Sequence, residues 1–178
     1  MPSRNRTDYA HRCAMKSTAS HSSATLTTRI INPLLSSVSD TFEGMLDSEV
    51  QRGALELCEL QSPLYDLSAV ILVTGRAKGM FCLSFATETA LNLTERFLGV
   101  RPNRIDDDVL DAVGEMANMI SGATKSKLNI SLNIGLPKIV RGNSSDIHFP
   151  EESRPMRLHY SSDLGPFCID FGFVHRTI

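Results

Sequence analysis

Residues 106–128, DDDVLDAVGEMANMISGATKSKL, decide how the rest of the chain is read. The spacing predicts one long helix. At about 100° per residue, Val109, Val113, Met116, Ile120 and Ala123 fall on one side, and Asp111, Glu115, Asn118 and Gly122 form a narrow stripe roughly opposite. The first side is a core face. The second sets an acid three residues before an amide, with a glycine one turn on that leaves the helix surface bare. Such a row suits a rigid ridge that another molecule approaches. A mid-helix glycine costs about 1 kcal/mol relative to alanine, so Gly122 predicts either a close partner or tight packing onto a sheet. Asp106, Asp107 and Asp108 stand at the positive end of the helix and read as cap and dipole partners rather than a metal cluster. Lys125 and Lys127 serve the opposite pole or face solvent.

Working outward, Thr87–Leu98 reads as a second helix, with Thr87 as N-cap, Glu88 in the first turn and Gly99 as the stop. Before it, residues 54–60, 67–74 and 80–85 are strand candidates, the last two joined by a glycine-bounded loop over 75–79. That loop lacks the Lys-Ser or Lys-Thr ending of a phosphate-binding loop and is read as a turn. Further upstream, Leu26, Ile30, Ile31, Leu34, Leu35, Val38, Phe42 and Met45 have helical spacing. An interior proline costs about 3 kcal/mol, whereas Asn32 as cap would make Pro33 the first helical residue. The helix start therefore stays open between Leu26 and Asn32, and the end falls near Leu46.

Downstream of the long helix, residues 137–140, 156–160 and 167–174 read as strands. In the last, Phe167, Ile169, Phe171 and Phe173 alternate with Cys168, Asp170, Gly172 and Val174, which predicts one packed face. Residues 162–165 form its hairpin turn. The order of helix, three strands, two helices and three strands gives the fold class: α+β, a mostly antiparallel sheet of about six strands covered by long helices.

A chain of 178 residues supports one well-buried domain and is too short for two comfortable ones. Residues 1–24 carry Arg4, Arg6, Arg12 and Lys16 against Asp8 alone, with many Ser and Thr and no apolar periodicity, and are expected to be a disordered basic tail. Residues 25–178 are the single domain. A formal charge of −2 argues against a nucleic-acid partner. No apolar run reaches the roughly 18 residues of a membrane span, so a soluble, cytoplasmic protein is expected. Cys13, Cys58, Cys82 and Cys168 contain no CxxC and read as buried reduced thiols. The histidines show neither HxH nor HExxH spacing, so no metal site built from this chain alone is expected. Ser121 has no paired His and Asp in motif context.

Glu115-Met-Ala-Asn118, within DAVGEMANMISG, resembles the acid-x-x-amide signature of the CheC/CheX/FliY chemotaxis phosphatases. The preceding GRAKGMFCLSFATETALNLTERFLG is similar to the hairpin-then-helix that leads into that signature in CheX-like chains. The resemblance runs from about Ile30 to Val174 and implies a CheX-like phosphatase domain. It implies activity on a CheY-like two-component response regulator carrying a phosphorylated aspartate. In that family the amide enters the regulator's active site and orients the hydrolytic water, while the acid pairs with the regulator's site lysine. Carried over, Asn118 positions water and Glu115 anchors the partner. Asp111 occupies the place, four residues before the acid, where the family has Asp or Ser, and with Gly122 it belongs to the partner-binding stripe.

The chemistry agrees with that assignment. An acyl phosphate is already activated, so a helper protein needs only to hold water in line with the phosphorus. An amide does this with its donor and its acceptor. The resemblance implies no cofactor of the chain's own, Mg2+ being supplied by the partner regulator, and it implies a homodimer. Two departures stand out. The family places a proline about twenty-two residues after the amide, whereas eighteen residues separate Asn118 from Pro137. Two-site relatives repeat the signature in the first helix, but here Asp40 is followed by Glu43 and Glu43 by Leu46, so a single active face is expected. The competing reading is a non-catalytic regulator-binding or signalling adaptor of the same fold.

Overall fold

The computed structural model describes residues 7–58, 64–142 and 147–175, with side chains described within 27–174. The period-two apolar runs become Gln51–Leu57 (β1), Leu67–Gly75 (β2), Ala77–Phe85 (β3), Leu132–Ile134 (β4), Lys138–Arg141 (β5), Met156–Ser162 (β6) and Gly165–His175 (β7). They pair into one antiparallel sheet in the order β1-β6-β7-β3-β2, with β4 and β5 both on the far side of β2. Three helices accompany it: Thr7–Leu46 (α1), Thr87–Leu98 (α2) and Asp107–Lys127 (α3). The fold is thus the α+β class expected, with seven strands where about six were read. The added one is β4, a three-residue strand too short to show a period.

Alternation aims one set of side chains at the helices. Leu67, Ala69, Ile71 and Val73 of β2, Phe81, Leu83 and Phe85 of β3, and Phe167 and Ile169 of β7 lie side by side and are all buried. Phe167 is the centre of this layer. Its ring stacks on Phe42 of α1 with centroids 4.7 Å apart and on Tyr160 of β6 at 4.8 Å. Each fully buried side chain of this size contributes about 1.5–3 kcal/mol, so the layer fixes the helices to the sheet.

The opposite face of β7 was read as open, and the structure corrects this. Cys168 and Asp170 are as buried as the aromatic side. The segment before β6 folds over them, close enough that a Cβ on Gly172 would meet Phe149 and Ser153 at 3.0 Å. Asp170 is then compensated by Arg157, which donates from Nε at 2.7 Å and from Nη2 at 2.8 Å. A buried carboxylate is tolerable only with such a partner.

Three local readings also shift. Helix α1 starts at Thr7, inside the stretch expected to be a disordered tail and upstream of the Leu26-to-Asn32 start, and it carries Pro33 in its interior. No glycine or proline stands between Thr7 and Asn32 to stop a helix. Residues 1–6 lie outside the described residues. Helix α2 has the predicted bounds and ends at Gly99, whose φ of 74° is the left-handed conformation glycine adopts freely. Its N-terminus, however, is not capped by Thr87. Asp66, before β2, accepts from the Thr87 backbone N–H at 3.2 Å and from its hydroxyl at 2.6 Å. Finally, the loop read over 75–79 is a tighter turn: β2 reaches Gly75, β3 restarts at Ala77, and Gly79 lies within β3 opposite Phe173.

Candidate functional site

Helix α3 positions the site, and its own ends hold it in place. Asp106 is the N-cap, its Oδ1 accepting from the Val109 N–H at 3.2 Å, while Asp107 and Asp108 occupy the first turn. At the other end Lys127 Nζ donates to Ser36 Oγ at 3.0 Å and pairs with Asp40, tying α3 to α1. The buried side is Val109, Ala112, Val113, Met116, Ala117 and Ile120. Ala123, expected in that set, is only half-buried. Ser121 and Thr124 are buried too, and each satisfies its hydroxyl on a backbone carbonyl one turn back, at 2.7 Å. Ser121 is therefore a packing residue and not an accessible nucleophile.

Asp111, Glu115, Asn118 and Gly122 all face solvent. Among the described residues, no hydrogen bond or ion pair engages Asp111, Glu115 or Asn118. The carboxylate and the amide stand one helical turn apart, where side chains at this spacing are about 5–6 Å from each other at Cβ. Gly122 is not explained by packing, since a Cβ there would meet nothing within 4 Å. Of the two accounts of this glycine read from the sequence, tight packing onto the sheet is removed. Gly114 differs: a Cβ there would lie 3.8 Å from Ile139, so it faces β5.

Glu115 and Asn118 line an open groove of about 880 Å3. One lip is the C-terminal end of α2, Phe97 and Leu98; the other is Leu136, Pro137 and Ile139; Asp108 and Asp111 continue the floor. The second lip exists because β4 and β5 are one strand with an interruption. Ile134 pairs with Val73 and Lys138 with Val70, so Gly135, Leu136 and Pro137 lie against only Ile71 and Leu72. That one-residue excess is a β-bulge, a device that re-aims a side chain. The Gly135 N–H donates to the Leu72 carbonyl at 2.8 Å, and Pro137 has no N–H to leave unpaired. The shortened spacing from Asn118 thus still delivers Pro137 to the groove.

Other reactive groups are quiet. Burial pushes the Cys58 and Cys168 thiols up to about 12, so both stay protonated near neutrality. Cys82 is pushed up for the same reason. Cys13 lies outside the described side chains. Among the described residues, no group of three or more His, Cys, Asp or Glu is arranged to hold a metal ion, and no helix is long and apolar enough to cross a membrane.

Residues 67–161 match the family model of the chemotaxis phosphatase CheX. The chain belongs to the CheX family. It is 32% identical over 123 residues to the CheY-P phosphatase CheX of Thermotoga maritima, covering 67% of this chain and 79% of that protein. A crystal structure of a CheC-like superfamily protein from Shewanella sp. PV-4 superposes with a TM-score of 0.74 at 28% identity, covering 82% of this chain and 97% of the other. The CheX of the Borrelia burgdorferi CheX–CheY–BeF3–Mg2+ complex has a TM-score of 0.67 at 20% identity, with coverage of 82% and 97%, a likeness of fold. Within this CheX fold the acid-amide row was legible from sequence, but the lips Leu98 and Leu136 were not. The Gly-Leu-Pro interruption of an otherwise strand-like run was the available signal for the second lip.

Proposed function

We propose that this protein hydrolyses the phospho-aspartate of a CheY-like response regulator, with Asn118 aiming the attacking water and Glu115 pairing with a lysine of the regulator. The observation that carries the reading is the accessible, unpartnered state of both side chains in one groove of a CheX family member. Water attacks phosphorus, the bond from phosphorus to the aspartyl oxygen breaks, and the carboxylate and inorganic phosphate are released. No nucleophile of this chain is required, only orientation, which is the contribution an amide with one donor and one acceptor side can make. Support for the partner comes from two relatives: the Thermotoga maritima CheX is a CheY-P phosphatase, and the Borrelia burgdorferi CheX was solved with CheY, BeF3 and Mg2+. In this reading Mg2+ belongs to the regulator, and the acidic row of Asp108, Asp111 and Glu115 meets a basic surface. Gly122 lets the regulator's backbone come close to α3.

The decisive experiment follows phosphate release from a panel of phosphorylated CheY-like receiver domains. Asn118→Ala is expected to keep the wild-type thermal midpoint, because the side chain is exposed and makes no hydrogen bond, and to cut stimulated release by about 10²-fold or more. Wild-type rates in that variant would remove the mechanism. Tight binding without turnover by the unaltered protein would favour the adaptor reading instead. A homodimer, implied by the resemblance, is read by sedimentation; among the described residues β1 is the end strand of the sheet, with Leu55 and Leu57 exposed.

A further inference from the structure

Leu136 is 82% exposed, more than any other large apolar side chain among the described residues. Singly exposed leucines are ordinary, so exposure alone says little. Its setting says more. Leu136 sits at the crown of the β4–β5 bulge, between a glycine whose N–H is bonded back to β2 and a proline whose φ is fixed, so the backbone that presents it is held. It contributes nothing to the core, and a polar residue there would serve the fold as well. Leu98, itself 56% exposed at the end of α2, lines the same groove. The unpartnered Glu115 and Asn118 line that groove with them.

Two polar groups on one helix give a partner little apolar area to bury, and a buried apolar anchor is what usually supplies most of the affinity at the centre of an interface. From this geometry we infer that Leu136 is the apolar anchor that seats the phosphorylated receiver domain over Glu115 and Asn118, and so governs affinity and regulator choice rather than the hydrolytic step. Leu98 is the second contact. The inference rests on the receiver-binding reading above. Its occupant is that same receiver, because the anchor shares one groove with the acid-amide row.

The test measures binding of a beryllofluoride-loaded CheY-like receiver domain, and steady-state phosphate release from its phosphorylated form, for the wild type, Leu136→Ser, Leu136→Met and Asn118→Ala. Leu136→Ser is expected to keep the thermal midpoint, weaken binding and raise KM about tenfold, and leave kcat within about twofold. Leu136→Met restores affinity. Wild-type affinity in Leu136→Ser overturns the inference, and so does a fall in kcat at unchanged KM. The binding arm stands even without turnover. A tenfold weaker complex in Leu136→Ser supports the anchor while full turnover in Asn118→Ala would defeat only the catalytic assignment, so the two failures are told apart.

Discussion

Helices α1 and α3 pack side by side on the same face of the sheet, yet their outward stripes have different fates. On α3, Asp111, Glu115, Asn118 and Gly122 are exposed, and the three side chains have no partner among the described residues. On α1, Glu43 is likewise exposed, but the positions three residues to either side of it are taken up by the protein's own packing. Asp40 is paired with Lys127 of α3, and Leu46, where a second site would need its amide, is 1% exposed in the core. The difference teaches that spacing alone does not leave a polar row free on this fold; the protein's own packing decides which polar side chains stay unused.

Copying the row onto α1 is the strongest way to break the comparison. Leu46→Asn completes an acid-x-x-amide with Glu43, but it buries an amide and removes a packed leucine, so a loss of about 2–4 kcal/mol is expected in denaturant melts. No gain in turnover should accompany it; a rise in phosphate release would show that α1 can host a second site after all. On α3 the acid is tested by charge reversal. Glu115→Lys should weaken binding of a phosphorylated receiver about tenfold, in line with a lost charge pair at an interface, and leave stability alone. Unchanged affinity, read by titration, would end its role as anchor for a lysine.

Gly122→Ala sharpens the contrast because its two effects have opposite sign. With open space around the new methyl, the helix should gain about 0.5–1 kcal/mol, raising the thermal midpoint, while receiver binding weakens. A variant that is both more stable and fully active would leave the glycine without the partner-facing role. The smallest expected effect lies away from the row. The Ser48 hydroxyl and the Arg96 guanidinium hold the Asp163 carboxyl below its ordinary value. A carboxyl depressed in the folded state stabilises above its unfolded pKa and loses that contribution as pH falls through the lowered one. Asp163→Asn should therefore flatten the decline in thermal midpoint below about pH 4, a slope that Asn118→Ala shares with the wild type.

Some of this was written into local sequence. The bounds of α2, the aspartate cap of α3, the exposed row and the aromatic face of β7 each follow from periodicity or cap chemistry acting within a few residues. What escaped was whatever depends on residues far apart in the chain. Asp66 caps α2 from twenty-one positions upstream, and the outer face of β7 is closed by a segment without regular structure. The upstream reach of α1 escaped for another reason, since that stretch offers neither an apolar stripe nor a breaker.

By itself, the sequence determined which side chains could do the work, because helical spacing alone brings Glu115 and Asn118 to one side of α3 and puts the core residues on the other. Only the tertiary structure decided that this side would line a groove and that Asp40 and Leu46 of α1 would be taken up by packing. Whether a polar row is left free, and what rises near it, depends on which neighbours pack against it: Lys127 reaching Asp40, Leu46 drawn into the core, and a one-residue bulge bringing Leu136 to the groove that Asn118 lines.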